Sequence, residues 1–213
     1  MIHYFTLLVQ DTIALITILN PVAAASIMLG MLVHANEKTI SPIAMKTSMT
    51  VFIASLLSLY SGEFIFHLFG INVLSLKVIG GIILMLIAIN MTYGQPLKSR
   101  HTKEEEDEAE EKEDISIVPL GIPILFGPGT IATIIVLNNN HTFVHTKIES
   151  YILVTLSIAI ASLIVFLTLR YAGFINKTLG VTGMKILTRI MGLVVGAIAA
   201  QFLVSGIKGL WLA

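Results

Sequence analysis

The sequence predicts an all-α, polytopic membrane protein: six transmembrane helices arranged as two inverted three-helix repeats, with helices 1 and 4 broken. Three observations carry this. First, 55% of the 213 residues are apolar and 12% are charged, and nine of the thirteen acids fall in the single run Glu104 to Asp114. Elsewhere long stretches carry no charge, a pattern that lipid selects for and that water-soluble surfaces exclude. Second, two helix-breaking motifs, Asn20-Pro21 and Gly127-Pro128-Gly129, each interrupt an apolar segment of membrane length. Third, an ungapped offset of 107 residues aligns Pro21 with Pro128, Ala25 with Ala132, Ile27 with Ile134, His34 with His141, Thr39 with Thr146, and Ile53-Ala54-Ser55-Leu56 with Ile160-Ala161-Ser162-Leu163. Paired broken segments in related halves point to a transporter binding site.

A spanning helix needs about 20 apolar residues. Six segments qualify: 3–33, 43–68, 72–94, 116–138, 148–171 and 185–210. The first is long for one span, which fits a segment that breaks and restarts. Polar marks separate the spans: His34 to Lys38, Gly70-Ile71-Asn72, the acidic run, Asn138 to His141, and Asn176-Lys177. The first lysine or arginine is Lys38. A signal peptide needs a positive n-region, so the first apolar stretch is expected to remain as a membrane segment.

Lysine and arginine set the expected orientation. Loops 1, 3 and 5 with the adjoining helix ends hold ten of them, and the opposite side holds Lys77, Lys147 and Lys208. The positive-inside rule then places the odd loops in the cytoplasm and both termini outside. Three spans per half is an odd number, so the second half must enter the membrane from the opposite face. The expected organisation is a first repeat at 1–94, an acidic cytoplasmic loop at 95–115 and a second repeat at 116–213. The third and sixth segments echo each other at a larger offset, Val78 to Ile82 against Ile190 to Val194, and an insertion near Asn176 to Gly180 accounts for the drift.

The breaks carry the chemistry. Proline removes an amide donor and clashes with the carbonyl one turn back. In lipid each freed backbone group must find another partner. A half-helix N-terminus offers free N–H groups and partial positive charge, which suit a carboxylate. Freed carbonyls suit an ammonium. The pair of breaks therefore fits a zwitterionic or anionic small solute. The expected substrate contacts are Asn20, Pro21, Ser26, Gly127, Pro128, Gly129, Thr130 and Thr133. The structural alternatives are a plain kink at each proline and, for the three hydroxyls, hydrogen bonds to their own helices. Pro119 is expected to start a helix, and Pro123 to loosen the second break.

Two acids lie within apolar stretches, Asp11 and Glu63. Intramembrane acids are functional candidates, here for proton or sodium coupling, against plain solvation at the interface. Asn90 and Gln201 either line a pore or join helices. Gly80-Gly81, Gly192 and Gly196 offer close-packing surfaces, within the chain or in a homo-oligomer. The acidic run is expected to be a solvated loop, since it lacks the glycine-turned spacing of a calcium loop. No cysteine is present, which excludes disulfides and thiolate metal sites. No nucleophile elbow, His-Glu-x-x-His or phosphate loop occurs, so neither an enzyme nor a cofactor is expected, and no metal.

Leu19-Asn20-Pro21, the stretch Pro119 to Ile131 around Gly127-Pro128-Gly129, and the closing stretch Leu187 to Leu193 resemble the MarC family of bacterial and archaeal inner-membrane proteins. The resemblance covers nearly the whole chain. Members are also called neutral amino acid transporters. The resemblance implies a six-helix secondary transporter of small neutral amino acids such as glycine and alanine, with proton coupling. One departure stands out: members often have a glycine soon after the Asn-Pro pair, where this chain has Val22-Ala23-Ala24-Ala25.

The expected function is thus amino acid transport across the inner membrane by alternating access. Its partners would be a small-molecule amino acid and membrane lipid, with no nucleic acid. An exporter, a non-transporting scaffold and a channel are the alternatives.

Overall fold

The computed structural model describes residues 2–32, 37–94, 115–140 and 146–212. Among the described residues every regular element is helical. The acidic run, nearly all of the 95–115 loop, and both His34 and His141 lie outside them. Helices α1 (Ile2–Leu19) and α2 (Pro21–Met31) flank the first break, followed by α3 (Glu37–Leu68) and α4 (Val73–Tyr93). The second half opens with a π-helical turn (Leu120–Leu125), then α5 (Pro128–Asn140), α6 (Lys147–Arg170) and α7 (Ala172–Leu212).

Local chemistry sets the ends. Asn72 starts α4 by accepting the Ser75 N–H at 2.7 Å, and Thr146 starts α6 by accepting from Glu149. Gly94, at φ 68°, closes α4 in the left-handed conformation that glycine adopts without strain.

Among the described residues five stretches are long and apolar enough to cross a membrane: α1 with α2, α3, α4, α6 and α7. Their outward faces carry exposed apolar side chains, among them Phe64, Leu86, Leu163 and Leu193. Faces like these are solvated by lipid rather than water. The protein is a multi-pass integral membrane protein.

The fourth expected segment, 116–138, is broken as its proline and glycines require, and neither piece reaches spanning length. Pro119 stands at the start of the π turn and Pro123 inside it. Ile122 is extended, at φ −130° and ψ 125°, because the ring of the following proline disfavours the helical conformation. The sixth segment differs from expectation. Its helix begins at Ala172, not 185, and Asn176-Lys177 is helical rather than a separating loop. The interruption falls at Gly180, at φ 65° and ψ 173°, a conformation open essentially to glycine alone.

The corresponding helices of the two halves run antiparallel in pairs. In the α3–α6 pair, Lys147 and Tyr151 meet Glu63 and Thr155 meets Tyr60. In the α4–α7 pair the glycines form a seam. A Cβ on Gly192 would stand 2.8 Å from the Met91 Cβ, one on Gly81 would meet Leu203, and ones on Gly206 and Gly209 would meet Leu74. The glycines expected to pack closely therefore do so within the chain. Tyr4 donates to Glu149 at 3.1 Å, and Gly209 abuts Leu74 just after α3 has ended. Both chain ends thus leave from one end of the molecule, the end that carries Glu63. Asn90 and Gln201 are exposed on the outer surface.

Candidate functional site

The site is built around the first break. Pro21 occupies the first position of α2, where its missing N–H leaves no helical bond unmade. The Thr17 carbonyl, four residues back, loses its donor for the same reason. Asn20 turns the chain at φ 46° and ψ 60°, the left-handed region that asparagine tolerates better than most residues. Its side-chain Oδ1 accepts the Ala23 N–H at 3.4 Å and caps α2. That bond fixes the amide orientation, since the reverse flip would set NH2 against N–H. The Nδ2 is left buried without an acceptor, although Asn20 is only 5% exposed. An unmet donor at such a depth is costly.

A cavity of about 310 Å³ lies against this break. At ~30 Å³ per water it has room for about ten waters, or for one small solute. Asn20, Ala23, Ser26 and Ile27 form one wall. The opposite wall comes from the end of α4, with Met91 and Gly94, and from α7 just past its kink, with Val181, Met184, Lys185 and Thr188. Gly94, Val181 and Lys185 are exposed, so they form the rim. Arg189 stands beside Gly94, its guanidinium within 2.8 Å of where a Cβ would be, and so faces the negative end of the α4 dipole. The cavity therefore opens at the end of the molecule opposite Glu63, where Lys185 and Arg189 are the charged side chains beside it among the described residues.

The second break sits elsewhere. Leu120, Leu125, Phe126 and Ile134 share one apolar core with Leu15, Leu19, Ala24, Ala25 and Met28, so the two broken segments pack together. Gly127, Pro128, Gly129, Thr130 and Thr133 nevertheless do not line the cavity. Gly129 is packed against Leu84 and Ile87 of α4. All three hydroxyls donate to nearby backbone: Ser26 to Val22, Thr130 to Leu125 and Thr133 to Gly129. Of the expected contacts, Asn20 and Ser26 reach the cavity, and Pro21 adjoins it.

The two acids separate cleanly. Glu63 is paired with Lys147 at 2.9 Å and accepts from Tyr151 at 3.1 Å, near the surface. It ties α3 to α6. Asp11 is 3% exposed inside α1. On the same helix the buried Thr12 Oγ1 finds no partner, nor does the Ser162 Oγ on α6.

The far wall was not anticipated from the sequence. Lys185 stood out only as a charge that sets orientation. Met91 carried no signal of its own, and Thr188 stood only within the stretch Leu187 to Leu193 that carries the family resemblance. The drift of the repeat offset near Gly180 was the one hint that α7 departs from a plain span.

Comparison with known proteins agrees with the membrane architecture. Residues 5–211 match the family described as MarC family integral membrane protein. The chain is 35% identical to the UPF0056 membrane protein YvbG of Bacillus subtilis over 209 residues, covering 97% of each. It is 32% identical to a UPF0056 membrane protein of Aquifex aeolicus over 208 residues, covering 98% of this chain and 95% of that one. A UPF0056 membrane protein of Methanocaldococcus jannaschii is 35% identical over 208 residues, with 98% of each covered. No solved structure matches. With matches that run almost end to end, the chain belongs to the MarC family of integral membrane proteins.

Proposed function

We propose that this protein is a secondary transporter that carries small neutral amino acids across the inner membrane by alternating access. One observation carries the reading: a cavity for one small solute lies against a broken membrane helix, where a buried Asn20 amide lacks an acceptor. Broken helices with unmet polar groups are the usual substrate sites of such transporters. The antiparallel pairing of α3 with α6 and of α4 with α7 supports an inverted repeat, because a two-fold axis in the membrane plane would exchange the members of each pair. Six spans follow if the π turn and α5 together make the sixth. The positive-inside rule then places the cavity rim, with Lys185, on the cytoplasmic side and both termini outside.

Asp11 is the acid suited to proton or sodium coupling, being buried in α1 on the substrate helix. Glu63 is held in its ion pair. A membrane scaffold is the second reading, and the engaged hydroxyls of Thr130 and Thr133 favour it.

Uptake of labelled glycine and alanine into proteoliposomes, with and without an inward proton gradient, decides among these. Saturable uptake that the gradient enhances is expected. Asp11→Asn should abolish the enhancement, and Glu63→Gln should keep it. Absent or non-saturating flux in folded protein would refute the proposal.

A further inference from the structure

We infer that a second cavity, closed in this structure, opens at the Glu63 end, lined by Thr130 and Thr133 of α5 as Ala23 and Ser26 of α2 line the open one. This rests on the transport reading and its inverted repeat, and it names the site that the outward-facing state presents. A two-fold axis that exchanges the repeats converts a cavity open at one end into a cavity open at the other.

The two halves assign the lining residue by residue. The open cavity takes Asn20, Ala23, Ser26 and Ile27 from the start of α2. At the offset of 107 these become Gly127, Thr130, Thr133 and Ile134. Local structure keeps that register: Ser26 donates to the Val22 carbonyl and Thr133 to the Gly129 carbonyl, the same bond at matched positions. A hydroxyl engaged in this way can still line a cavity, since Ser26 does both. The far wall follows the larger offset of 112, which aligns Gly80 with Gly192 and Gly94 with Gly206. Met91 and Gly94 become Leu203 and Gly206, and Met184 and Thr188 become Asn72 and Leu76. The bends correspond too. Gly180, at φ 65°, kinks α7 just before the open cavity, and Gly70, at φ 66°, precedes α4. A Cβ on either would meet open space.

These counterparts lie toward the Glu63 end. α5 runs to that end, where Ser150 of α6 donates to the Asn138 carbonyl at 2.7 Å. α4 starts there, with Leu74 beside Gly209. Apolar packing fills the place: Leu76 and Phe202 share one buried core with Ala132, Ile135 and Val136. Thr130 and Thr133 are buried beside it, whereas Ser26 is exposed. Opening requires α5 to part from Leu76 and Phe202 at this end, as α2 stands apart from Met91 and Thr188 at the other.

The chain has no cysteine, so single cysteines report accessibility without background. Thr133→Cys, Ser26→Cys and Val154→Cys are placed one at a time in the full chain. A membrane-impermeant maleimide then measures labelling rates in right-side-out and in inverted vesicles. Val154 is the control. It is as fully buried as Thr133, and each stands seven residues from its helix end, Lys147 or Asn140, but Val154 lies on α6, outside this lining. Ser26→Cys should label from the Lys185 side alone. Thr133→Cys should label from the Glu63 side alone, at least about tenfold faster than Val154→Cys, because an alternate state is populated at roughly 0.1–10%. Thr130→Cys, one turn earlier, should repeat the result if Thr133→Cys fails to fold.

Threonine-site cysteines that label no faster than Val154→Cys, or that label from both sides, while the wild-type chain takes up alanine, would overturn the inference and leave the transporter standing. Labelling as expected without uptake of glycine or alanine would uphold the second cavity and remove those amino acids as its solutes. If nothing is taken up and neither threonine position labels, both readings fall.

Discussion

Gly192 and Gly196 lie one turn apart on α7 and face the same helix, yet a methyl group added to each should act differently. At Gly192 the new carbon would stand 2.8 Å from the Met91 Cβ and 3.0 Å from the Thr92 backbone nitrogen. Carbon contacts are comfortable at about 3.5–4.0 Å, so α4 would have to retreat by roughly 0.7 Å, and a gap of that size forfeits a quarter to a half of each contact it opens. At Gly196 the new carbon would rest 3.5 Å from the Ala88 Cβ, already an ordinary contact. Replacing glycine with alanine inside a helix gains about 1 kcal/mol at either position. That gain cancels when the two variants are compared. What remains is the overpacking cost at Gly192, about 1–3 kcal/mol. Gly196→Ala should therefore unfold at higher denaturant than wild type, and Gly192→Ala at clearly lower denaturant than Gly196→Ala. Equilibrium titration with dodecyl sulfate in mixed micelles, followed by helical circular dichroism, reads the difference. If Gly192→Ala were as stable as Gly196→Ala, the helices would not approach as closely as described, and the seam would be no constraint.

Other substitutions isolate single contributions. Gly180→Ala adds a carbon to open space, so any loss is backbone strain, about 1–3 kcal/mol; Gly173→Ala, also in open space, should show none in the same titration. Thr47→Val removes the 2.9 Å hydrogen bond to the Ser116 carbonyl, which keeps the Gly121 N–H as a donor at 3.2 Å, so the loss is that of one hydrogen bond, about 0.5–1.5 kcal/mol. Its unfolding midpoint should fall accordingly. Lys147→Met breaks the ion pair with Glu63, but the lysine is 80% exposed, and exposed pairs contribute little. Its thermal midpoint should match wild type at high and low salt alike.

The breaks were legible because their causes are local. A proline lacks an N–H wherever it stands, so Pro21 and Pro128 announced interrupted helices without any knowledge of what surrounds them. The contacts of α3 with α6 and of α4 with α7 were not legible, because matched residues at an offset say which segments resemble each other and not which ones touch. The kink at Gly180 was hidden, since a glycine in an apolar run looks the same whether it bends the chain or packs a seam, as Gly192 does. The cavity was half legible. Asn20 and Ser26 were found, but their opposite wall is contributed by residues 91–94 and 181–188, which only tertiary packing brings near. The hydroxyls of Thr130 and Thr133 could not be resolved from spacing, because a threonine that serves a ligand and one that bonds its own helix occupy the same sequence positions. Glu63 likewise found its partner 84 residues away.

The short helix α5 has a consequence for how the chain is made. Its 13 residues span roughly 20 Å at 1.5 Å per residue, well short of the ~30 Å hydrocarbon layer. Nearly every side chain from Gly129 to Val136 is buried by protein. On its own such a helix is too short to cross that layer. It needs a receiving surface, and α3 and α4, which supply one through Gly62 and Gly80 against Ile135 and Ala132, are both synthesised before it. The two helices against which α5 packs most closely are thus already made when it emerges from the ribosome.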